Sequence, residues 1–220
     1  MDNSQFIIYW AGALFNHKEL LGNQMLANSV ENLSNGRYDV KLPQDFQTEP
    51  SAKAVDIRNA DLTELIQCDM VVANFDGAEL DSGTVVEFCI AKALDMPTVL
   101  LRTDFRNAGD SDDIPWNLMC AGWPRTEPLW IHSLADYQRH AVTKANDLQS
   151  AMESWYNDLA RKIIQSLDKA RATAPWLSAE TALEHFRRTV QSVAGGLDAI
   201  LTDETLAAIV ERKRQKGLLA

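Results

Sequence analysis

The sequence predicts an α/β protein, a doubly wound five-stranded parallel sheet with a helical extension at its C-terminal end. Three observations carry that prediction. Short, nearly all-apolar runs around residues 6–10, 70–75 and 98–101 alternate with longer stretches of helical spacing, the pattern of parallel strands covered on both faces. Turn-forming segments follow these runs, where such a sheet gathers its loops. From residue 134 onward strand signals stop and only helical patterns continue.

The elements can be taken in order. Phe6-Ile-Ile-Tyr-Trp10 is aromatic and β-branched, and Ala11-Gly12-Ala13 closes it, so it reads as a buried strand ending in a tight turn. A helix follows over residues 16–33, ended by Asn35-Gly36. Residues 38–42 form a weaker strand stopped by Pro43. Residues 51–67 are helical, with Ser51 as N-cap and Ala54, Ile57, Leu62, Leu65 and Ile66 facing inward. Met70-Val-Val-Ala-Asn-Phe75 is a strand, and the turn-rich segment 76–83 leads into a helix over 85–94. Thr98-Val-Leu-Leu101 is the fourth strand, and residues 129–132 supply a fifth. Five such strands suit a flavodoxin-like sheet, whose ligands sit at the carboxyl ends of the strands. The site is therefore expected among residues 11–13, 43–46, 76–83 and 103–113. Further helices are predicted over 134–170, 179–193 and 204–216, with Ser178-Ala-Glu-Thr as a helix start and Pro175 and Gly195-Gly196 as punctuation. The expected division is an α/β domain over residues 1–148 and a helical extension over 149–220.

Composition removes several functions. A chain of 220 residues holds one domain with a substantial core. Its net charge of −10 argues against a nucleic-acid polymer as partner, which would call for a basic face. It leaves room for a small uncharged ligand. Cys68, Cys89 and Cys120 are an odd number at wide spacing, giving neither a disulfide framework nor a zinc signature. Cys89 lies in an apolar run and reads as a small core hydrophobe. Residues 1–5 lack the plan of a secretory signal and no apolar run is long enough to span a bilayer, so a cytoplasmic protein without membrane contact is expected.

Asp81-Ser-Gly-Thr-Val-Val-Glu-Phe-Cys-Ile-Ala91 is the segment richest in chemistry. Glu87 sits on a helix that is apolar almost all round, and a buried carboxylate is costly unless something holds it. Thr84-Val-Val-Glu87 matches a capping box, in which the glutamate reaches back to the N-cap amide. The other reading is a nucleophile kept ionised by the helix N-terminus. Asp76, Glu79 and Asp81 lie in the preceding loop, where acids can bind sugar hydroxyls; for Asp76 a turn-forming role is the simpler account. Asp61 lies on the 51–67 helix, where charges ordinarily form a solvated face. The Ala-Gly-Ala turn at Gly12 lacks the spacing of a phosphate loop. His17, His132, His140 and His185 have no ligand spacing, so no metal site is expected. Trp116, Trp123 and Trp130 read as core, or as walls of a base-binding pocket.

Four of these segments together resemble the nucleoside 2-deoxyribosyltransferase family. Ile8-Tyr-Trp-Ala-Gly-Ala-Leu-Phe15 is similar to its opening strand and loop, and Asp61-Leu-Thr-Glu-Leu-Ile-Gln-Cys-Asp69 with Met70-Val-Val-Ala to its second motif. Asp81-Ser-Gly-Thr-Val-Val-Glu87 resembles its catalytic motif, and Trp116-Asn-Leu-Met119 the segment that members lend to a neighbouring subunit. The resemblance implies a salvage transferase that moves 2-deoxyribose between free nucleobases by a retaining double displacement, without metal or organic cofactor. It implies that Glu87 attacks C1′, that Tyr9 orients Glu87, and that Asp61 manages the proton on the base. Asp81 would hold the 5′-hydroxyl, Asn117 and Met119 would enter from an adjacent protomer of a homo-oligomer, and Gly12 and Phe15 would line the substrate. Family members usually end soon after the last core helix, so the long C-terminal stretch departs from the pattern.

Two alternatives stand beside this reading. Related hydrolases cut deoxynucleoside 5′-monophosphates with water as acceptor; they should need a phosphate pocket, which Ala11-Gly-Ala-Leu-Phe15 hardly offers and which Asp81 would repel. A non-catalytic nucleotide-sensing module would use the helical extension as its output. A pure binder has no need of Glu87 as nucleophile.

Overall fold

The computed structural model describes residues 5–46, 52–109, 111, 113–140 and 147–220. In chain order the elements are β1 (Phe6–Ala11), α1 (His17–Leu33), β2 (Tyr38–Lys41), α2 (Ala54–Gln67), β3 (Met70–Asn74), α3 (Ser82–Ala93), β4 (Thr98–Arg102), β5 (Thr126–Trp130), α4 (Ser133–Arg139), α5 (Leu148–Ala172), α6 (Ala179–Val193), α7 (Leu197–Ile200) and α8 (Asp203–Gln215). The sheet has the order β2-β1-β3-β4-β5 and every pair is parallel. This is the flavodoxin-like doubly wound order, with its switch point between β1 and β3.

Side-chain alternation along the strands divides the core. Ile8 and Trp10 of β1, Val72 of β3, and Val99 and Leu101 of β4 face α1 and α5. Tyr9, Ala11, Val71, Ala73 and Leu100 face α2 and α3. A shift of one residue would exchange the two faces, so the apolar sets on both sides fix the register. Residues 149–172, assigned to the extension by the sequence pattern, lie in α5 and pack Leu159, Ile163 and Leu167 into the α1 face.

The remaining helices form a third layer outside α2 and α3. Phe186 and Val190 of α6 and Leu206 and Ile209 of α8 share one core with Leu62, Leu65, Ile66 and Phe88. Buried polar groups hold this layer in place. The Asp95 carboxylate accepts from the backbone N–H of Trp176 (2.8 Å) and Leu177 (3.0 Å). It also pairs with the fully buried Arg125 at 3.1 Å, while Arg125 donates to the Leu218 carbonyl at 3.1 Å. Lys216 Nζ lies 2.6 Å from Asp69, and the Ala220 N–H donates to Leu177 at 2.9 Å.

Several boundaries differ from the pattern-based ones. β5 starts at Thr126 and carries Pro128 in its middle; the strand is at the sheet edge, where a missing N–H is tolerated. The stretch 134–170 is two helices, α4 ending at Arg139 with His140 as C-cap and α5 beginning at Leu148. Ser51, expected as an N-cap, lies outside the described residues; α2 begins after Lys53, whose N–H donates to Asp56 at 3.3 Å. Cys89 is exposed, not a core residue. Val86 is exposed as well, so α3 has an open face that a run of apolar letters concealed. No helix among the described residues is long and apolar enough to cross a membrane.

Candidate active site

β1 delivers Tyr9 to the α2/α3 face with its side chain fully buried. Its hydroxyl donates to Glu87 Oε1 at 2.6 Å, a short charge-assisted bond. The Phe46 ring, just beyond β2, lies 6.3 Å from the Tyr9 ring and packs against it. Residues 43–46 were expected at the site as a loop, but Phe46 itself was not singled out. The signal that could have found it is an aromatic residue in the loop that follows a strand's carboxyl end.

Glu87 is the sixth residue of α3. The capping-box reading is therefore wrong: Asp81 is the N-cap, and Thr84 is the residue it caps. Asp81 Oδ2 accepts from the Thr84 N–H at 2.8 Å and from Thr84 Oγ1 at 2.9 Å. Both bonds use one oxygen, and Oδ1 makes no hydrogen bond among the described residues. The expected help from the helix N-terminus also fails. The dipole acts mainly within the first turn, and burial pushes the Glu87 carboxyl up to about 7. The Tyr9 hydrogen bond works against that rise, while the charges of Asp61 and Asp81 add to it.

Asp61, on α2, is half-buried rather than part of a solvated face, and burial raises its carboxyl to about 6. Its charge acts on both Glu87 and Tyr9. Burial, and then Glu87, hold the Tyr9 phenol far above its usual range, so it remains a proton donor. Tyr9, Asp61, Asp81 and Glu87 thus form one electrostatic group from three elements and a loop.

Gly12 sits where β1 runs out against β3. A Cβ there would lie 3.1 Å from the Cβ of Asn74, so the glycine permits the close approach of the two strand ends. Phe15 is 76% exposed, and its N–H donates to Glu19 at 2.8 Å. Asn117 caps a single 3-10 turn (Leu118–Cys120) through a 2.9 Å bond from the Met119 N–H, and Met119 is 73% exposed. No hydrogen bond or ring contact among the described residues joins Phe15, Asn117 or Met119 to the Tyr9–Glu87 group. Trp116 is buried against Phe75, whereas Trp123 and Trp130 are partly exposed.

The loop between β3 and α3 is held by Asp76 and by Arg102, a residue that the sequence did not single out. Arg102, fully buried at the end of β4, donates to the carbonyls of Phe75, of Gly77 (2.9 Å) and of Arg106 (3.0 Å). Asp76 accepts from the Thr103 N–H (2.5 Å), the Thr103 hydroxyl (2.7 Å) and the Asp104 N–H (2.7 Å). Asp76 is thus structural, as expected, but through a tie to the next loop. Two of the histidines have structural partners: His132 caps α4 and stacks on Phe105, and His185 bonds the Ala93 carbonyl. Among the described residues no cluster of His, Cys, Asp and Glu is arranged to hold a metal ion.

Residues 8–119, more than half of the chain, match the family model described as nucleoside 2-deoxyribosyltransferase. The chain belongs to the nucleoside 2-deoxyribosyltransferase family. As a member of that family it is a deoxyribosyltransferase-type enzyme, with nucleosides and nucleobases as its substrate class. Tyr9, Asp61, Asp81, Glu87, Asn117 and Met119 all fall within the matched segment. Among solved structures, the chain is similar to a conserved protein from Enterococcus faecalis V583 at 25% identity and a TM-score of 0.49, covering 60% of this chain and 94% of that one. It is also similar to a 2-desoxiribosyltransferase from Leishmania mexicana at 26% identity and a TM-score of 0.43, covering 53% and 86%. No curated protein matches this nucleoside 2-deoxyribosyltransferase-family chain.

Proposed function

We propose that this protein transfers 2-deoxyribose from one nucleobase to another through a covalent glycosyl-enzyme on Glu87, within nucleotide salvage. The observation that carries the reading is the Tyr9–Glu87 hydrogen bond at 2.6 Å with the half-buried Asp61 in electrostatic reach. A partly buried carboxylate gripped by one permanent donor is oriented as well as poised for attack.

In the first step a Glu87 oxygen forms a bond to C1′ as the bond from C1′ to the base nitrogen breaks. The electron pair leaves with the base, which takes a proton from Asp61. Positive charge developing on the sugar is stabilised by the Glu87 carboxylate as it closes. In the second step an incoming base gives its proton to Asp61 and displaces Glu87 from C1′, so configuration is retained over the two inversions. A carboxyl raised to about 6 suits a group that must both give and take a proton near neutrality. Asp81 Oδ1, the oxygen not used in capping α3, would accept from the 5′-hydroxyl. Gly12 and Phe15 would line the base, and Asn117 with Met119, exposed on one protomer, would complete the site of a neighbour.

Chromatography of the purified protein with 2′-deoxyinosine, with and without free cytosine or adenine, tests the proposal. A new deoxynucleoside formed only when a base is added is expected, with turnover in Glu87→Ala lower by about a thousandfold or more. Hypoxanthine release with no new nucleoside would assign a hydrolase instead. Turnover of neither this donor nor a pyrimidine donor or monophosphate would leave the sensing module.

A further inference from the structure

Across the sheet from Glu87, between α1 and α5, a cavity of about 340 Å³ opens at the carboxyl edge of the strands. Ala13 beyond β1, Asn74 and Gly77 at the end of β3, and Thr103 beyond β4 form one wall. Trp155 and Tyr156 of α5 form the other. Their rings meet edge-on at 5.7 Å, and Trp155 is braced by Tyr137 at 5.5 Å. The size lies at the lower end of small-molecule sites, and the carboxyl edge near a switch point is where this architecture places ligands.

Gly22 gives an independent reason to regard the cavity as a site. It lies inside α1, where a glycine costs about 0.5–1 kcal/mol relative to alanine. No positive φ requires it. The nearest atom to a Cβ built there is the Tyr156 hydroxyl at 3.8 Å, an ordinary contact, so packing does not require it either. What a side chain at this position would do is fill the cavity.

The walls also indicate the class of ligand. Lys18 and Glu19 contribute opposite charges, and the Asp76 carboxylate is already consumed by its three bonds to Thr103 and Asp104. No surplus of positive charge is present to draw a phosphate. The Tyr156 and Ser133 hydroxyls and the Asn74 amide nitrogen make no side-chain hydrogen bond among the described residues and line the same space as the aromatic wall. Aromatic surface with both donors and acceptors suits a flat, uncharged, polar heterocycle.

We infer that this cavity is a second binding site, distinct from the Tyr9–Glu87 group, for a free nucleobase or nucleoside. The choice of that heterocycle rests on the proposed nucleoside chemistry; the existence of the site rests on the cavity and Gly22. The β3–α3 loop is common to both places, since Gly77 lines the cavity and Asp81 caps the helix that carries Glu87.

Equilibrium dialysis and titration calorimetry of the full chain with adenine, hypoxanthine and inorganic phosphate test this. The wild type should bind one more equivalent of base per chain than Gly22→Leu. That variant should keep its fold, because leucine favours a helix interior over glycine. Tyr156→Ala, as a second variant, should weaken the same equivalent by about tenfold or more through the lost stacking surface. Equal stoichiometry and affinity in the wild type and both folded variants would overturn the inference. So would a site that takes phosphate and not base. If base transfer fails in the chromatographic assay while the Gly22-dependent equivalent of adenine persists, the cavity stands and the catalytic reading falls.

Discussion

At the scale of single residues, the ionisation of Glu87 is set by a contest that burial wins. Its carboxyl rises from the ordinary value of 4.5 to about 7, although the Tyr9 hydroxyl favours the charged form. The proposed mechanism needs Glu87 ionised, so on that proposal activity should fall as pH drops through about 7. In Tyr9→Phe the bond that holds the value down is gone, so the acid limb should move to higher pH. A pH profile of kcat/KM checks this, and an unmoved limb would mean that Tyr9 does not act on Glu87 ionisation. The same raised value has a consequence for stability. Between the unfolded and folded pKa values the folded state binds more protons, so the ionised carboxylate destabilises the fold increasingly as pH rises from about 4.5 to 7. Glu87→Gln should therefore be more stable than wild type above pH 7, by roughly 1–3 kcal/mol. The gap should close at pH 4, as thermal melts at the two pH values would show.

At the scale of elements, Asp81 caps a helix and, on the proposed mechanism, also holds the substrate. One oxygen caps α3 by accepting from Thr84, and the other is open. Asp81→Ala should lose about 1 kcal/mol of stability along with substrate affinity. Asp81→Asn keeps a good cap, so its melting temperature should stay near wild type while KM for the deoxynucleoside rises. If both variants lost stability equally and KM did not change, Asp81 would be a cap alone. This distinction was only partly visible beforehand. The segment Asp81-Ser-Gly-Thr-Val-Val-Glu87 stood out from its letters, but Thr84 and Asp81 are both good cap residues. Where the first turn begins is decided by the loop that enters it. Arg102 grips that loop from β4 through the carbonyls of Phe75 and Gly77, and nothing local to residues 76–87 announces a buried arginine on the next strand.

At the scale of the whole molecule, the C-terminal helices are part of the core. Leu177, Phe186, Leu197 and Leu206 are almost fully buried, in one cluster with α2 and α3. The Asp95–Arg125 pair and the Asp69–Lys216 pair link this layer to the residues just before β3, β4 and β5, the end of the sheet opposite the site. Arg125→Met leaves Asp95 buried without its cation and removes the donor to Leu218, so it should destabilise the fold by about 3–5 kcal/mol. Denaturant titration reads that loss. A change within about 0.5 kcal/mol would mean that the pair contributes little and that apolar burial alone holds the layer.

The sequence by itself determined the sheet, its helices on both faces, and the carboxyl-edge loops. Hydrophobic periodicity is local, and it reports directly which face of an element leaves water. Asp81 and Glu87 stood out as acids in or beside an apolar run, whereas Tyr9 and Asp61 were singled out only through the family resemblance, since Asp61 alone reads as part of a solvated helix face. Only the tertiary structure decided that Asp61 is half-buried, that Cys89 faces outward, that Pro128 lies within an edge strand, and that α6 to α8 wrap the α2/α3 layer. It also decided the ionisation of Glu87. The hydroxyl that holds Glu87 is 78 residues away in the chain, and the Leu218 carbonyl that Arg125 binds is 93 residues away. Burial and partnership of a charge depend on such distant groups, which no window of neighbouring letters contains.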